Sequence, residues 1–330
     1  MSTSVLVTGG AGYIGSHACA VLAQQGYQPV VLDNLVYGHR EAVKWGPLYE
    51  GSIADAKLVG EILTKHKIDA VLHFAAYAYV GESVNDPLKY YHNNVAETVS
   101  LLTTLVEHKI SKFVFSSTCA TYGNPEKLPI DEAHPQKPIN PYGASKLMVE
   151  RVLQDLAAIG KMNSVALRYF NAAGACNEFG LGEDHDPETH LIPLVLKSML
   201  PGGSKIKVFG NDYATRDGSC LRDYIHVYDL ATAHVKALDS LERSGKAWDV
   251  FNLGTGSGHS TFEVIQAASK VVGREIPFDV APRRAGDPAE LVADASKALT
   301  KLGWKPERSD LASILSSAWD WHQKRCLAPF

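Results

Sequence analysis

Cysteine is scarce and unpatterned. The five residues Cys19, Cys119, Cys176, Cys220 and Cys326 are odd in number, widely scattered and free of any Cys-x-x-Cys pair. That pattern argues against a disulfide framework and against a zinc site, and it suits a reducing cytoplasm. No uninterrupted apolar run approaches the roughly 20 residues of a membrane span. The apolar segment at Ser4 has no basic stretch before it of the kind a secretory leader carries. An excess of one charge is also missing: 32 Lys and Arg face 36 Asp and Glu, a formal charge of -4 with both signs interspersed. A nucleic-acid binder needs a clustered basic face, so neither nucleic acid nor membrane is expected as a partner.

What remains is a chain of 330 residues, 45% hydrophobic and 21% charged, long enough for a large domain plus a smaller one. Short apolar runs alternate with helical patterns. "SVLVTG", "QPVVLDN", "AVLHFAA", "FVFSST" and "SVALRYF" read as strands, and "YIGSHACAVLAQQG" and "NPYGASKLMVERVLQDLAAIG" as helices. In the second helix Met148, Val149, Val152, Leu153 and Leu156 recur at helical spacing and Gly160 supplies a stop. The alternation predicts an α/β fold: a Rossmann-type, doubly wound parallel sheet with helices on both faces. After residue 170 it gives way to Gly- and Asn-rich loops, which predicts a smaller C-terminal α/β substrate domain. "RDYIHVYDLATAHVKAL" and "DVFNLGTG" read as a late helix and strand that return to the first sheet. The expected division is 1–168 plus about 219–252 for the dinucleotide domain, and about 169–218 plus 253–330 for the substrate domain.

"SVLVTGGAGYIGSHACAVL" sets Gly9, Gly10, Gly12 and Gly15 between a strand and a helix. Glycines there permit a tight turn and close backbone approach, and the helix N-terminus offers free N–H groups to a pyrophosphate. The next strand delivers Asp33, 18 residues after Gly15, where a carboxylate accepts from a ribose 2′-hydroxyl and repels a 2′-phosphate. The cofactor expected is therefore NAD.

The strand "KFVFSSTCATYG" ends in hydroxyl residues at the carboxyl edge of the sheet, where ligands of open parallel sheets sit. Ser116, Ser117 and Thr118 are candidates there, with one of them expected to touch substrate. In "NPYGASK", Pro141 suits a first helical turn, so Tyr142 and Lys146 share one face. A hydroxyl can orient a substrate alcohol, a phenol can take its proton, and a cation can lower the phenol's pKa. An ammonium roughly 5 to 7 Å away, at an effective dielectric of about 20, favours the phenolate by about 2 to 3 kcal/mol. An oxidised nicotinamide would add a second positive charge in the same sense and desolvation opposes both, and with all three Tyr142 is expected within a unit or two of neutrality.

With those residues in hand, the chain resembles the extended short-chain dehydrogenase/reductase family, and within it is similar to the sugar-nucleotide 4-epimerases acting on UDP-glucose and UDP-galactose. "VLVTGGAGYIGSH", "HFAAYAYVGESV", "SSTCATYG", "NPYGASKLMVE", "LRYFNAAGA", "FGNDYATRDGSCLRDYIHVYDLA", "FNLGTG" and "RRAGDPAELVAD" carry the resemblance in order, nearly end to end. It implies NAD-dependent epimerisation at C4 through a 4-keto sugar, with Tyr142 as acid and base, Lys146 on the nicotinamide ribose and Thr118 on the sugar 4-hydroxyl. It implies cofactor contacts at Gly9, Gly12, Tyr13, Ile14, Gly15, Asp33, Asn34, Ser52, Ile53, Phe74, Ala75, Ala76, Asn93, Ser116 and Phe170. For the UDP-sugar it implies Asn171, His190, Leu191, Phe209, Arg222, Arg284 and Asp287. The two arginines also suit a diphosphate on chemistry alone. Asp223, Asp229, His226 and Asp294 are read as structural. Some positions depart from the family pattern: Ser52 for an aspartate near the adenine, Ala78 for a lysine near the cofactor, His190 for an asparagine. Leu291 stands where residue size tunes access for N-acetylated sugars. UDP-arabinose/UDP-xylose 4-epimerisation, or dual hexose/pentose activity, is the alternative. A homodimer through the helices around 88–109 and 142–160 is the expected assembly.

Overall fold

Successive residues of a strand face opposite ways, and in β1 (Ser4–Thr8) this sends Val5 and Val7 into one apolar cluster and Leu6 into another. A strand buried on both faces belongs at the centre of a parallel sheet covered by helices. The computed structural model, which describes residues 3–243, 246–284 and 287–327, places it there. Five strands follow β1 in alternation with helices: β2 (Gln28–Asp33), β3 (Leu48–Glu50), β4 (Ile68–His73), β5 (Lys112–Thr118) and β6 (Asn163–Tyr169). Then come the short strands β7 (Asn171–Ala173) and β8 (Ile206–Phe209), followed by β9 (Leu221–His226). The last four are β10 (Trp248–Leu253), β11 (Gly258–Ser260), β12 (Phe278–Ala281) and β13 (Glu290–Leu291).

The large sheet has seven strands in the order β3-β2-β1-β4-β5-β6-β10, every neighbouring pair parallel. The chain winds outward in one direction from β1 and in the other from β4. Between those neighbours lies the switch point, where a crevice opens beyond the carboxyl ends of the strands. Helices Tyr13–Gln24 and Val227–Arg243 cover one face with Ala18, Val21, Leu22, Leu230, Val235 and Leu238. Helices Ala56–His66, Glu97–Glu107 and Pro141–Ala158 cover the other, with Ile62, Leu101, Leu105, Val149 and Leu153. Each fully buried aliphatic side chain contributes about 1.5–3 kcal/mol of transfer free energy. The expected Rossmann-type sheet is therefore present, and "DVFNLGTG" returns to it as β10.

Helix Pro141–Ala158 starts as its sequence requires. Pro141 fills the first turn and the Asn140 side chain accepts from the Gly143 N–H at 2.8 Å. One expectation fails along it: Met148 is 46% exposed, outside the buried stripe of Val149 and Leu153. The sequence pattern counted it as inward, but its place on the helix turns it away from the sheet. The stretch near 88–109 also differs from one continuous helix. A π-helical turn at Tyr91–Ala96 joins Pro87–Tyr90 to Glu97–Glu107. It points Asn94 at the chain after β4, where its amide bonds both backbone groups of Tyr77, at 2.9 and 3.0 Å.

The rest of the chain builds smaller layers. β9 pairs with β11 antiparallel and with β7 and β13 in parallel, and β8 pairs with β12. A separate apolar cluster, including Ile192, Val195, Val264, Ile265, Ile314 and Leu315, joins helices Leu191–Lys197, Thr261–Val272 and Leu311–Leu327. This layer faces the carboxyl edge of the large sheet across a cleft.

Candidate active site

The floor of the cleft is the turn from β1 into helix Tyr13–Gln24. Gly9 has a φ of +72°, and a Cβ built on Gly15 would stand 2.2 Å from the Gly9 carbonyl oxygen, so the turn closes only on glycine. Gly12 caps the helix and gives it no side-chain hydrogen bond, leaving the N-terminal N–H groups to a phosphate ligand. Asp33, at the end of β2, is buried. It accepts from the Ala11 N–H at 2.9 Å and the Leu35 N–H at 2.8 Å. Burial raises its pKa and the two backbone donors oppose that rise. The cradle and the carboxylate fit a dinucleotide whose ribose carries a free 2′-hydroxyl.

Tyr142, Lys146 and Thr118 come together at the carboxyl end of β5, all buried. The Lys146 ammonium donates to the Ser116 carbonyl at 2.9 Å and lies 4.9 Å from the centre of the Phe115 ring. The Ser116 hydroxyl donates to the Tyr169 phenol at 3.1 Å. Burial lowers Lys146 to about 7, against the pull of the Glu150 carboxylate. Burial also raises Tyr142 well above its ordinary value, helped by Tyr169 and opposed by the Thr118 hydroxyl. The near-neutral expectation counts the charge of an oxidised nicotinamide as well, so it concerns the NAD-loaded site. Desolvation is the largest cause at both groups, raising the phenol and lowering the ammonium. The protein alone keeps Tyr142 protonated, and a further positive charge at the site is what would bring it down.

Behind this group lies a closed ionic network. Glu150, one helical turn beyond Lys146, accepts from Arg168 on β6 and from the Ser117 hydroxyl at 2.5 Å. Arg168 also donates to the Tyr122 phenol at 3.0 Å, and that phenol donates to Asn252 at 2.6 Å. Ser117 is thereby spent on structure, leaving Thr118 to face the cleft.

Across the cleft, Arg222 on β9 donates to the carbonyls of Leu221 and Pro288 at 2.8 and 2.9 Å and lies 3.7 Å from Asp287. The Arg284 guanidinium sits 4.4 Å from the centre of the Phe209 ring. The loop before helix Leu191–Lys197 carries a group of which the sequence reading named only His190. There Glu183 and Glu188 face His185 and His190. The alternating acids and histidines of "GEDHDPETH" were the available signal. Partial removal from water works against a charge on His190, whose side chain stays 44% exposed, but the carboxylate of Glu183, with Glu188 behind it, lifts the imidazole to about 9. Glu183 is held well below the usual carboxylate range by His190 and His185 in spite of its burial.

One cleft of about 1240 Å³ is lined by every cofactor and substrate residue that the resemblance implies except Ser52. Ser52 turns its hydroxyl to Glu97 at 2.8 Å and accepts from the Ala54 N–H at 3.0 Å. Its neighbours Gly51 and Ile53 line the cleft, as do Ala78 and Leu291. The residues read as structural behave so. Asp223 accepts from the N–H groups of Thr255, Gly256 and Ala293, and Asp229 from the Arg308 N–H and the Ser309 hydroxyl. His226 bonds Ser317 and the Tyr228 N–H, and Asp294 the Ser296 N–H. All five cysteines are unpaired, and among the described residues no helix is long and apolar enough to cross a membrane.

Residues 5–254 match the model of the NAD dependent epimerase/dehydratase family. A UDP-glucose 4-epimerase of Rhizobium leguminosarum bv. trifolii is 54% identical over 97% of this chain and 98% of its own length. The crystal structure of a UDP-glucose 4-epimerase from Brucella ovis in complex with NAD superposes with a TM-score of 0.92 at 50% identity, covering 97% of this chain and 98% of that one. A UDP-glucose 4-epimerase from Bifidobacterium longum, in complex with NAD+ and UDP, gives a TM-score of 0.92 at 41% identity, with 98% of each chain covered.

Proposed function

The chain belongs to the NAD dependent epimerase/dehydratase family, and from that premise we infer that it interconverts UDP-glucose and UDP-galactose at C4 through a 4-keto sugar, with tightly bound NAD. The observation that carries this reading is the convergence of a dinucleotide cradle, the Tyr142–Lys146–Thr118 group and the arginines Arg222 and Arg284 on one cleft. The relatives described above are named for the hexose reaction, and those names give the pentose alternative no support.

The glycine turn and Asp33 would hold the dinucleotide, and Lys146 its nicotinamide ribose. Bound NAD would supply hydride acceptance and donation at C4 and, when oxidised, a positive charge. Tyr142, kept protonated by desolvation, would serve as a base once a positive charge in the site opposes that desolvation. Thr118 aligns the 4-hydroxyl, Tyr142 removes its proton and later returns one to the ketone oxygen, and Lys146 steadies the phenolate. Arg222 and Arg284 bind the diphosphate. Anchoring the nucleotide leaves the sugar few fixed contacts and lets either face meet the cofactor.

The division into 1–168 plus about 219–252 and about 169–218 plus 253–330 is carried forward as part of this proposal, with the cleft between the two parts. The scattered thiols suit the cytoplasm. A homodimer would cover the exposed Val99 and Met148 on helices Glu97–Glu107 and Pro141–Ala158, and sedimentation that finds only a 35.8 kDa species would overturn it.

Purified protein incubated with UDP-galactose and no added reductant is expected to yield UDP-glucose with deuterium at C4 retained. Tyr142→Phe is expected to lower kcat by about 10²–10⁴-fold while keeping its NAD. Exchange of the C4 label with solvent, or a product short of water or CO2, would sink the assignment.

A further inference from the structure

The proposed mechanism leaves the loop before helix Leu191–Lys197 unused. There Glu183, His185, Glu188 and His190 each bring one donor atom to within 4.8 Å of the others. The side chains of Glu183 and Glu188 are only 3% and 7% exposed. Two carboxylates taken out of water need two balancing charges, since an uncompensated buried anion is costly. Lys197, 3.5 Å from Glu188, supplies one. Glu183 hydrogen-bonds His190 Nδ1 and lies 3.2 Å from His185 Nδ1, so a proton on an imidazole is the remaining balance. The His190 side chain is 44% exposed and lines the cleft that also holds Asn171 and Arg222. With Nδ1 committed to Glu183, the Nε2–H of an imidazolium is its outward donor.

We propose that His190 is a protonated, substrate-binding residue, locked as a cation by Glu183 and donating from Nε2 to an oxygen of the bound UDP-sugar, so that substrate affinity depends on a proton stored in this loop. The proposal rests on the UDP-sugar reading of the cleft. The ring is lifted to about 9, which keeps the donor charged at neutral pH. Other titratable groups face the cluster. Tyr13 and Tyr79 approach the His185 ring at 6.1 and 6.0 Å, and burial raises both phenols. His322, on the C-terminal helix, is held at about 4 by burial, and Asp184 in the same loop is paired with Arg325. None of these two tyrosines or His322 exchanges a proton between pH 7 and 9. Glu188 is raised by burial and by the neighbouring Glu183 charge, which strengthens the demand for a proton in the cluster.

The test is KM for UDP-galactose against pH in NAD-loaded protein, read as the ratio of His190→Asn to wild type. The ratio cancels titrations common to both, including those of the substrate and of Tyr142 and Lys146. A charge-assisted hydrogen bond predicts a ratio of about tenfold or more at pH 7, shrinking towards one as wild-type His190 loses its proton near pH 9. Glu183→Gln, which removes the charge and keeps the shape, is expected to move that loss to lower pH by a unit or more. A ratio near one at pH 7, or one that stays constant to pH 10, overturns the proposal. So does stoichiometric divalent metal in the purified holoenzyme whose removal by EDTA raises KM, because the four side chains would then hold a cation other than a proton. If wild-type protein fails to convert UDP-galactose at all, the functional reading fails first and separately.

Discussion

His73 and His190 stand in the two halves of the molecule and are treated in opposite ways. His73, on β4, hydrogen-bonds Thr8 at 2.7 Å and Thr98 at 3.1 Å, and burial with the nearby Lys146 holds it neutral, at about 3. His190, at the mouth of the substrate loop, is surrounded by carboxylates and kept charged to about 9. The parallel-sheet half pairs its buried ions, Glu150 with Arg168, inside the fold. The loop half holds its charged groups against the cleft, with His190 on the lining. The difference sets a frame whose buried ions are closed off behind the site against a loop whose ions border it.

The sharpest way to break that comparison is to open the frame. Glu150 and Arg168 are both buried and their pair ties the Tyr142 helix to β6. Glu150→Leu leaves a guanidinium unpaired away from water and is expected to lower stability by about 3–5 kcal/mol, measured from the urea midpoint. Replacing both partners, Glu150→Met with Arg168→Leu, is expected to recover most of that loss. In the loop half, the exposed pair of Arg308 with Glu178, 2.5 Å apart, is expected to contribute under about 1 kcal/mol when Glu178 is changed to Ala. Equal losses in the two places would remove the distinction between a closed half and an open one.

The same contrast explains what could be read from the residues alone. The sheet half obeys local rules: apolar runs of strand length, glycines at a strand-to-helix turn, an Asn-Pro start before Tyr142. Each is visible within a dozen residues, and the cradle, Asp33, Tyr142, Lys146 and Thr118 were legible for that reason. The other half is assembled by distant partners. β9 is flanked by β7, β11 and β13, strands of two or three residues, too short to carry an alternation pattern. The Glu183–His190 group is signalled in the sequence only by alternating acids and histidines, and its closure depends on a loop folding back on itself. The extent of burial was less legible. Opposing desolvation was expected at Tyr142, but only the fold shows how far removal from water raises the phenol. Ser52 was assigned to the cofactor by resemblance, and only the fold shows its hydroxyl turned to Glu97.

A further effect, spread through both halves, is written in the pH dependence of stability. Burial is the first cause that lowers His17, His226, His234 and His322 to about 4 and His73 to about 3. For these five the folded pKa lies below the unfolded value near 6.5, so between about 6.5 and 4 the unfolded chain binds protons that the folded chain refuses. Stability is then full above pH 6.5 and falls as pH drops, by about 1.4 kcal/mol per pH unit for each proton. His190 has the opposite sign. Its folded pKa is raised, so its contribution is full below pH 6.5 and is lost as pH rises through about 9. Thermal unfolding from pH 4 to 10 should therefore show a steep acid loss in wild type that His190→Asn leaves in place. The stabilising difference between wild type and His190→Asn should shrink only on the alkaline side. An acid limb that disappears with His190, or a Tm that stays flat down to pH 4, would mean that the two halves do not store their protons in opposite ways.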